Sequence, residues 1–404
     1  MDIQLANELF EVAHRLAADA AVLRDRLEEE FLSSQIEEVV RTDYDLGEVD
    51  RVEQVFGGTE NLSFAAVTKD GDGEHRYFVR KYKYGTKERE IRYEHALVRH
   101  IRDKGFKLPA RVFENRHGDT LVTREEILGT ERVRRFFAVY EMLGGENKYT
   151  WTTNRCTDAE YDDAARVLAR FHQAAYDFEP GDLAREQPPI MEYVATMPGT
   201  FNGYAAGVTG TKYDHYFLSQ LPGILEAIDR ALALAPDLQG LPRCPVFCDY
   251  HPGNLKWGDE RGVGLFDFDW AKLDYRIFDI AIGIVYFCTS WEDKDDNELR
   301  LDKAEIFLNA YQDEASRSEA PGPLTDGELA VLPRMLAIAA LYVVSWDIVA
   351  YYIDRNPNDD EYLFFLEHNV AFVEFIEAHL DELAALADRA KTTAALGMAG
   401  AEEA

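Results

Sequence analysis

The stretch Val246–Ala281, VFCDYHPGNLKWGDERGVGLFDFDWAKLDYRIFDIA, governs how the rest of the chain is read. Asp249 is followed five positions later by Asn254, then by a hairpin whose return strand ends in Asp267, with Asp269 two residues beyond. A hairpin brings its two ends together, so the hard oxygens of Asn254, Asp267 and Asp269 can converge on one metal ion. A carboxylate such as Asp249 can orient a hydroxyl and accept its proton, and the set together is what phosphoryl transfer requires. Asp and Asn are also ordinary turn residues, and DYHPGN alone could be a Pro-Gly turn closing a capped hairpin. The segments upstream decide between the two readings.

Upstream, VDRVEQVF, LSFAAVT and HRYFVRKY are β-rich runs separated by GGTEN and KDGDGE, both rich in turn residues, which predicts an antiparallel meander. A charged helix follows from about Lys87 to Lys104, then strand candidates at Ala110–Phe113, Thr120–Thr123 and Arg134–Glu141. Residues 48–143 thus read as a five-stranded sheet with one inserted helix. In the first hairpin loop, the backbone at Gly57, Gly58, Thr59 and Asn61 can lie over the phosphates of ATP. On the next strand Arg80 and Lys81 point to opposite faces, so only one can serve as the phosphate-binding cation. Arg80 shares its face with Phe78, which could lie against adenine, and Lys81 is the alternate.

CDYHPGN followed by FDFD resembles the HGDxHxxN and DFxx motifs of the superfamily that holds aminoglycoside phosphotransferases, choline kinases and type II homoserine kinases. The resemblance covers roughly residues 45–375. It implies a protein-kinase-like two-lobed α+β fold, with a small five-stranded antiparallel N-lobe and a larger, mainly helical C-lobe. It also implies ATP and Mg2+ as cofactors, Asp249 as catalytic base, Asn254 and Asp267 as metal ligands, and His251 as a brace for the catalytic loop. Phe247 and Cys248 depart from the family's usual His and Gly, and Asp279 resembles its later structural Asp. By the same resemblance Glu94, one turn after Glu90, is the helix partner of the phosphate cation. VYEMLGG resembles the inter-lobe hinge, whose backbone at Glu141, Met142 and Leu143 would read the adenine edge.

After Gly144-Gly145 the chain turns helical, except between Pro245 and Trp270. The domain reading is an N-terminal helical extension over 1–45, an N-lobe over 46–143, a C-lobe over 144–383 and a fraying tail over 384–404. Two amphipathic helices are expected in the extension, Ile3–Phe31 and Ser34–Arg41. Pro180–Tyr213, rich in Gly, Pro, Thr and Tyr, reads as an ordered loop or a covering insertion.

With 75 acidic and 43 basic residues the formal charge is -32, which repels nucleic acids and anionic membranes, so the expected partner is a small molecule. The acidic surface is read as plain solvation, with solubility in high salt or a cationic substrate as alternatives. Four cysteines without CxxC spacing read as reduced thiols, and with no leader in the sequence the expected compartment is the cytoplasm. For the acceptor, Trp346, Asp347 and Tyr351, with Tyr342 and Tyr352, combine aromatic faces and a carboxylate on one late helix, which suits a cationic amine or simply a core. The expected activity is an ATP- and magnesium-dependent kinase acting on a small amine-bearing alcohol such as homoserine, choline, ethanolamine or an aminoglycoside. A non-catalytic nucleotide-binding pseudokinase is the alternative. No HRD-type loop or APE-type segment suggests a protein acceptor.

Overall fold

The computed structural model describes residues 30–55, 61–128, 130–292, 296–354 and 356–402. Most of the helix expected over Ile3–Phe31, and the loop residues Gly57, Gly58 and Thr59, lie outside them. The chain forms two compact units, Met1–Glu88 with Ala110–Met142, and Arg89–Pro109 with Leu143–Ala404.

The first unit is built on an antiparallel sheet of β1 (Glu48–Val55), β2 (Leu62–Asp70), β3 (Gly73–Lys81), β4 (Val122–Leu128) and β5 (Glu131–Glu141), ordered β1-β2-β3-β5-β4. The expected strand Ala110–Phe113 is reduced to a short pairing along β5, through Phe113 N–H to Val139 O (2.8 Å) and Glu141 N–H to Arg111 O (2.8 Å). A helix, α1, runs over residues 30–43, unbroken at the Ser33-Ser34 pair where the sequence suggested a start. Its Ile36, Val39 and Val40, with Tyr44, pack on Phe64, Ala66, Val79, Phe137 and Val139. Burial of such side chains is worth about 1.5–3 kcal/mol each, and it holds α1 on the sheet.

The second unit carries α2 (Glu88–Asp103), α3 (Asp158–Ala175), α4 (Ile190–Ala205), α5 (Lys212–Leu232), α6 (Arg276–Cys288), α7 (Leu301–Ala315), α8 (Asp326–Ile353), α9 (Asp359–Ala378) and α10 (Leu380–Glu402). Two small antiparallel pairs sit among them: β6 (Arg243–Val246) with β9 (Lys272–Tyr275), and β7 (Leu255–Gly258) with β8 (Arg261–Leu265). Residues 89–109 belong here through contacts such as Tyr93 on Phe178 (5.6 Å) and Phe106 on Phe171 (6.4 Å). α8 is long and apolar enough to cross a membrane, but 83% of its most apolar window is buried inside the fold, as a core helix is.

Residues 180–213, read as an ordered loop or a covering insertion, contain α4, which accommodates Pro198 and buries Ile190, Val194, Met197 and Phe201 along one stripe. α10 runs to Glu402, with Leu383, Leu386, Ala387 and Ala390 buried. Gly145, at φ +95°, lets the segment after Met142 run against β7: a Cβ there would meet Val263 at 2.6 Å. Glu146 and Trp257 then exchange backbone hydrogen bonds of 2.8 and 3.0 Å.

Candidate active site

The loop leaving β6 carries Asp249 and is held from below. Asp279, on the first turn of α6, is fully buried and accepts hydrogen bonds from Phe247 N–H (2.7 Å) and Cys248 N–H (2.8 Å). The same carboxylate lies 2.9 Å from His172 Nε2, and His172 Nδ1 is 2.8 Å from the Tyr311 hydroxyl. Cys248 adopts φ +66°, the left-handed conformation that favours glycine. The residue type departs from the family at this position, while the backbone keeps a glycine's shape.

Beyond this anchor the polar groups gather. Asn254 Nδ2 donates to the Asp249 carboxylate (3.1 Å) and to its backbone oxygen (2.8 Å). Leu255 pairs with Leu265 across the β7–β8 hairpin, and Phe266 N–H bonds to Asn254 O (3.1 Å), which brings Asp267 back beside Asn254. Asp267 itself sits at φ 71°, ψ 60°, a strained conformation for a non-glycine residue. Burial, and then the charge of Asp267, push the Asp249 carboxyl up to about 8; Asp269 adds to this, while hydrogen bonds from Asn254 and Tyr286 oppose it. His251 Nδ1 accepts from Gly253 N–H (3.0 Å), and Nε2 lies 3.7 Å from Asp249 Oδ2. Burial pushes the imidazole down to about 3, so it is neutral.

Among the described residues no cluster of three or more His, Cys, Asp or Glu is built to hold a metal by itself. Magnesium does not need one, because it takes one or two protein ligands, with waters and substrate phosphates completing its shell. The Asn254 oxygen, Asp267 and Asp269 are hard donors, and the mutual repulsion that raises Asp249 is what a cation would relieve. This donor set fits the ion.

In the first unit the two candidate cations separate. Lys81 lies on the face covered by α1, paired with Glu126 (2.7 Å) and bonded to Gln35 Oε1 (2.7 Å). Arg80 lies on the other face, its guanidinium 5.9 Å from the Phe78 ring and 5.7 Å from Tyr140. Asn61 Oδ1 accepts from Lys83 N–H (2.9 Å). The chain leaves this unit after Met142, and the Glu141 N–H is spent on Arg111. In the second unit Glu94 is buried on α2, while Glu90 accepts from Glu186 N–H (3.1 Å) and so takes a local role.

Of the acceptor candidates, Tyr351 is absorbed by packing: its ring stacks on Tyr213 at 3.6 Å and its hydroxyl bonds Thr211 and Asp359, both at 2.9 Å. Tyr352 bonds Asp214 (2.7 Å) and is likewise structural. Asp347 is fully buried, accepts from Asn369 Nδ2 (2.7 Å), and has its carboxyl held well above the usual range by burial. Trp346 packs on Trp151 (5.9 Å), which leads to residues the sequence reading did not single out. Trp151, Tyr286, Trp291, His368 and Asn369 line a tight recess, and Tyr286 also hydrogen-bonds the Asp249 side chain. Two tryptophans in loops and an aromatic-rich α9 were the available signals.

Residues 51–319 match the profile of the Phosphotransferase enzyme family. The chain belongs to that family. As a phosphotransferase it is an enzyme, a small-molecule kinase by class, with the protein-kinase-like fold its sequence predicts. It is 26% identical over 302 residues to a homoserine kinase of Xanthobacter autotrophicus, covering 74% of this chain and 80% of the relative. In fold it is similar to a microcompartment-associated aminopropanol kinase, at 16% identity and a TM-score of 0.62, covering 87% of this chain and 98% of that one. It is similar also to an amicoumacin kinase solved with AMP-PNP and Ca2+, at 16% identity and a TM-score of 0.60, covering 89% and 96%.

Proposed function

We propose that this phosphotransferase moves the γ-phosphoryl group of ATP to the hydroxyl of a small amine-bearing alcohol, with homoserine-like amino alcohols as the first candidates. The observation that carries the reading is the gathering of Asp249, Asn254 and Asp267 at the two ends of one hairpin. Asp249, with a quarter of its side chain accessible, is the group that orients the acceptor hydroxyl and takes its proton. Asn254, through its oxygen, and Asp267 with Asp269 would hold Mg2+, which when bound supplies charge neutralisation at the phosphates. Arg80 is assigned to the non-transferred phosphates, because it shares its face with Phe78 and Tyr140 while Lys81 lies on the face covered by α1. The loop at Gly57, Gly58, Thr59 and Asn61, Phe78, and the backbone of Met142 and Leu143 are assigned to the nucleotide on the strength of the family motifs. His251 keeps the loop's shape and stays neutral.

The homoserine kinase relatives and the aminopropanol kinase fold neighbour support an amino alcohol over a sugar or a peptide. The non-catalytic alternative finds no support, since Asp249, Asn254 and Asp267 are all present and gathered. A panel of homoserine, aminopropanol, ethanolamine, choline and an aminoglycoside, each with Mg2+ and ATP, tests the reading by ADP release and by detection of a phosphorylated product. ADP formation that requires a small amino alcohol is expected. Phosphorylation only of an aminoglycoside, or none at all, would refute it.

A further inference from the structure

The recess beside Tyr286 makes a demand on the acceptor that the phosphoryl-transfer groups do not. His368, on α9, is 2% exposed and stacks on Trp291 with ring centroids 3.4 Å apart. Its Nδ1 lies 2.9 Å from Asp296 Oδ1, and its Nε2 is buried without a hydrogen-bond partner. Burial holds the imidazole neutral against the pull of Asp296, so the proton sits on Nδ1, facing the carboxylate, and Nε2 is a bare acceptor. An unmet buried acceptor weakens a fold, and this one calls for a donor from outside the protein.

Three further features define that donor. Trp151 and Trp291 meet edge to face at 5.1 Å and give the recess aromatic walls, which favour a cation. Its free space suits about one water- or ammonium-sized group. Tyr286 lines the recess and also bonds Asp249, so a group held here belongs to a molecule whose hydroxyl is close to the reacting carboxylate.

We propose that the recess lined by Trp151, Tyr286, Trp291 and His368 receives the primary ammonium of the phosphate acceptor, with His368 Nε2 accepting one of its N–H bonds, and so excludes acceptors whose nitrogen is fully alkylated. The proposal rests on the reading of the chain as a kinase of amine-bearing alcohols and narrows it. A trimethylammonium group has no N–H to give and is several times larger than the space. His368 is a substrate-contacting, specificity-determining residue.

The test compares ethanolamine and aminopropanol with their N,N,N-trimethyl analogues as acceptors for the full-length protein. In the wild type the primary amine is favoured in kcat/KM by about 10- to 100-fold, the value of one hydrogen bond to a charged group. His368→Phe keeps the ring on Trp291 and removes the acceptor nitrogen, so the preference collapses toward unity, while His368→Gln retains part of it. Nucleotide affinity and circular dichroism report whether each variant is folded. If neither variant folds, calorimetry of the two acceptors on the wild-type protein decides alone, with tighter binding of the primary amine expected. A wild-type ratio near one, or an unchanged ratio in folded His368→Phe, overturns the assignment and leaves the kinase reading standing. Absence of turnover with every acceptor overturns both.

Discussion

The Asn254 side-chain amide donates to both the carboxylate (3.1 Å) and the backbone oxygen (2.8 Å) of Asp249. Both partners are pure acceptors once Asp249 is ionised, so the nitrogen must face them and the amide oxygen must face away. One side chain thereby steadies the base and leaves an oxygen ligand on its other side, and Asp267 arrives beside it through the β7–β8 register.

Asp249→Asn should trade activity for stability. The carboxyl titrates near 8 when folded and near 4 in the unfolded chain, so between those values the folded form holds a proton that the unfolded form has lost. The stability associated with that proton is complete below about pH 4 and is lost as pH rises toward 8. Asparagine does not titrate, so Asp249→Asn and wild type should melt together near pH 4. By pH 8 the variant should melt several degrees higher, worth about 1–3 kcal/mol after allowance for water at the partly open carboxylate. Turnover should fall by about 100- to 10,000-fold or more. Scanning calorimetry across pH, with and without Mg2+, checks it; Mg2+ should narrow the gap, and a pH-independent difference would show that neither burial nor the neighbouring charges shift Asp249.

What could be read in advance follows the distance along the chain over which each interaction acts. The Asp249–Asn254 contact spans five residues and Asp267 returns on the same hairpin, so turn chemistry alone predicts their adjacency. The choice between Arg80 and Lys81 could not be read, because alternation separates two faces without saying which one a distant helix covers. α1 covers the Lys81 face and supplies Gln35, a contact that no local pattern foretells. α4 was hidden by its Gly, Pro and Thr content, although Ile190, Val194, Met197 and Phe201 keep a helical spacing. The recess at His368 joins a loop before α3, the end of α6 and the middle of α9, and no local pattern links them.

Asp279→Ala should loosen the catalytic loop more than it disturbs the fold elsewhere. It removes the acceptor for two buried N–H groups and leaves His172 without its carboxylate, so a loss of about 3–5 kcal/mol is expected. Urea denaturation measures the loss, and hydrogen exchange at Phe247 and Cys248 should accelerate well beyond that of β2 and β3. Uniform acceleration throughout would deny Asp279 its local clamp.

Arg80 and Lys81 should separate binding from stability. Arg80→Ala is expected to weaken nucleotide binding by about 10- to 100-fold, the worth of one charge-assisted contact. Lys81→Met should leave that affinity within about threefold while lowering stability by about 1–3 kcal/mol, because Glu126 and Gln35 lose their buried partner. Calorimetric nucleotide titration beside thermal melts distinguishes them, and the reverse pattern would transfer the phosphate role to Lys81.

Salt should stabilise this protein. A formal charge of -32 means that the folded chain concentrates repulsion which unfolding relaxes, and raising ionic strength from 0.1 to 1 M shortens the screening length from about 10 to 3 Å. The same screening weakens exposed ion pairs such as Arg230–Glu377 and Arg389–Glu305, but each is worth at most about 1 kcal/mol. With 75 acidic groups against 43 basic ones, the surplus of acidic side chains has no cation to lose, so repulsion decides the sign. The melting temperature in potassium chloride should climb by several degrees over that range, most steeply at the dilute end where screening changes fastest. A melting temperature that falls with salt would mean that paired charges, not the surplus, govern the surface.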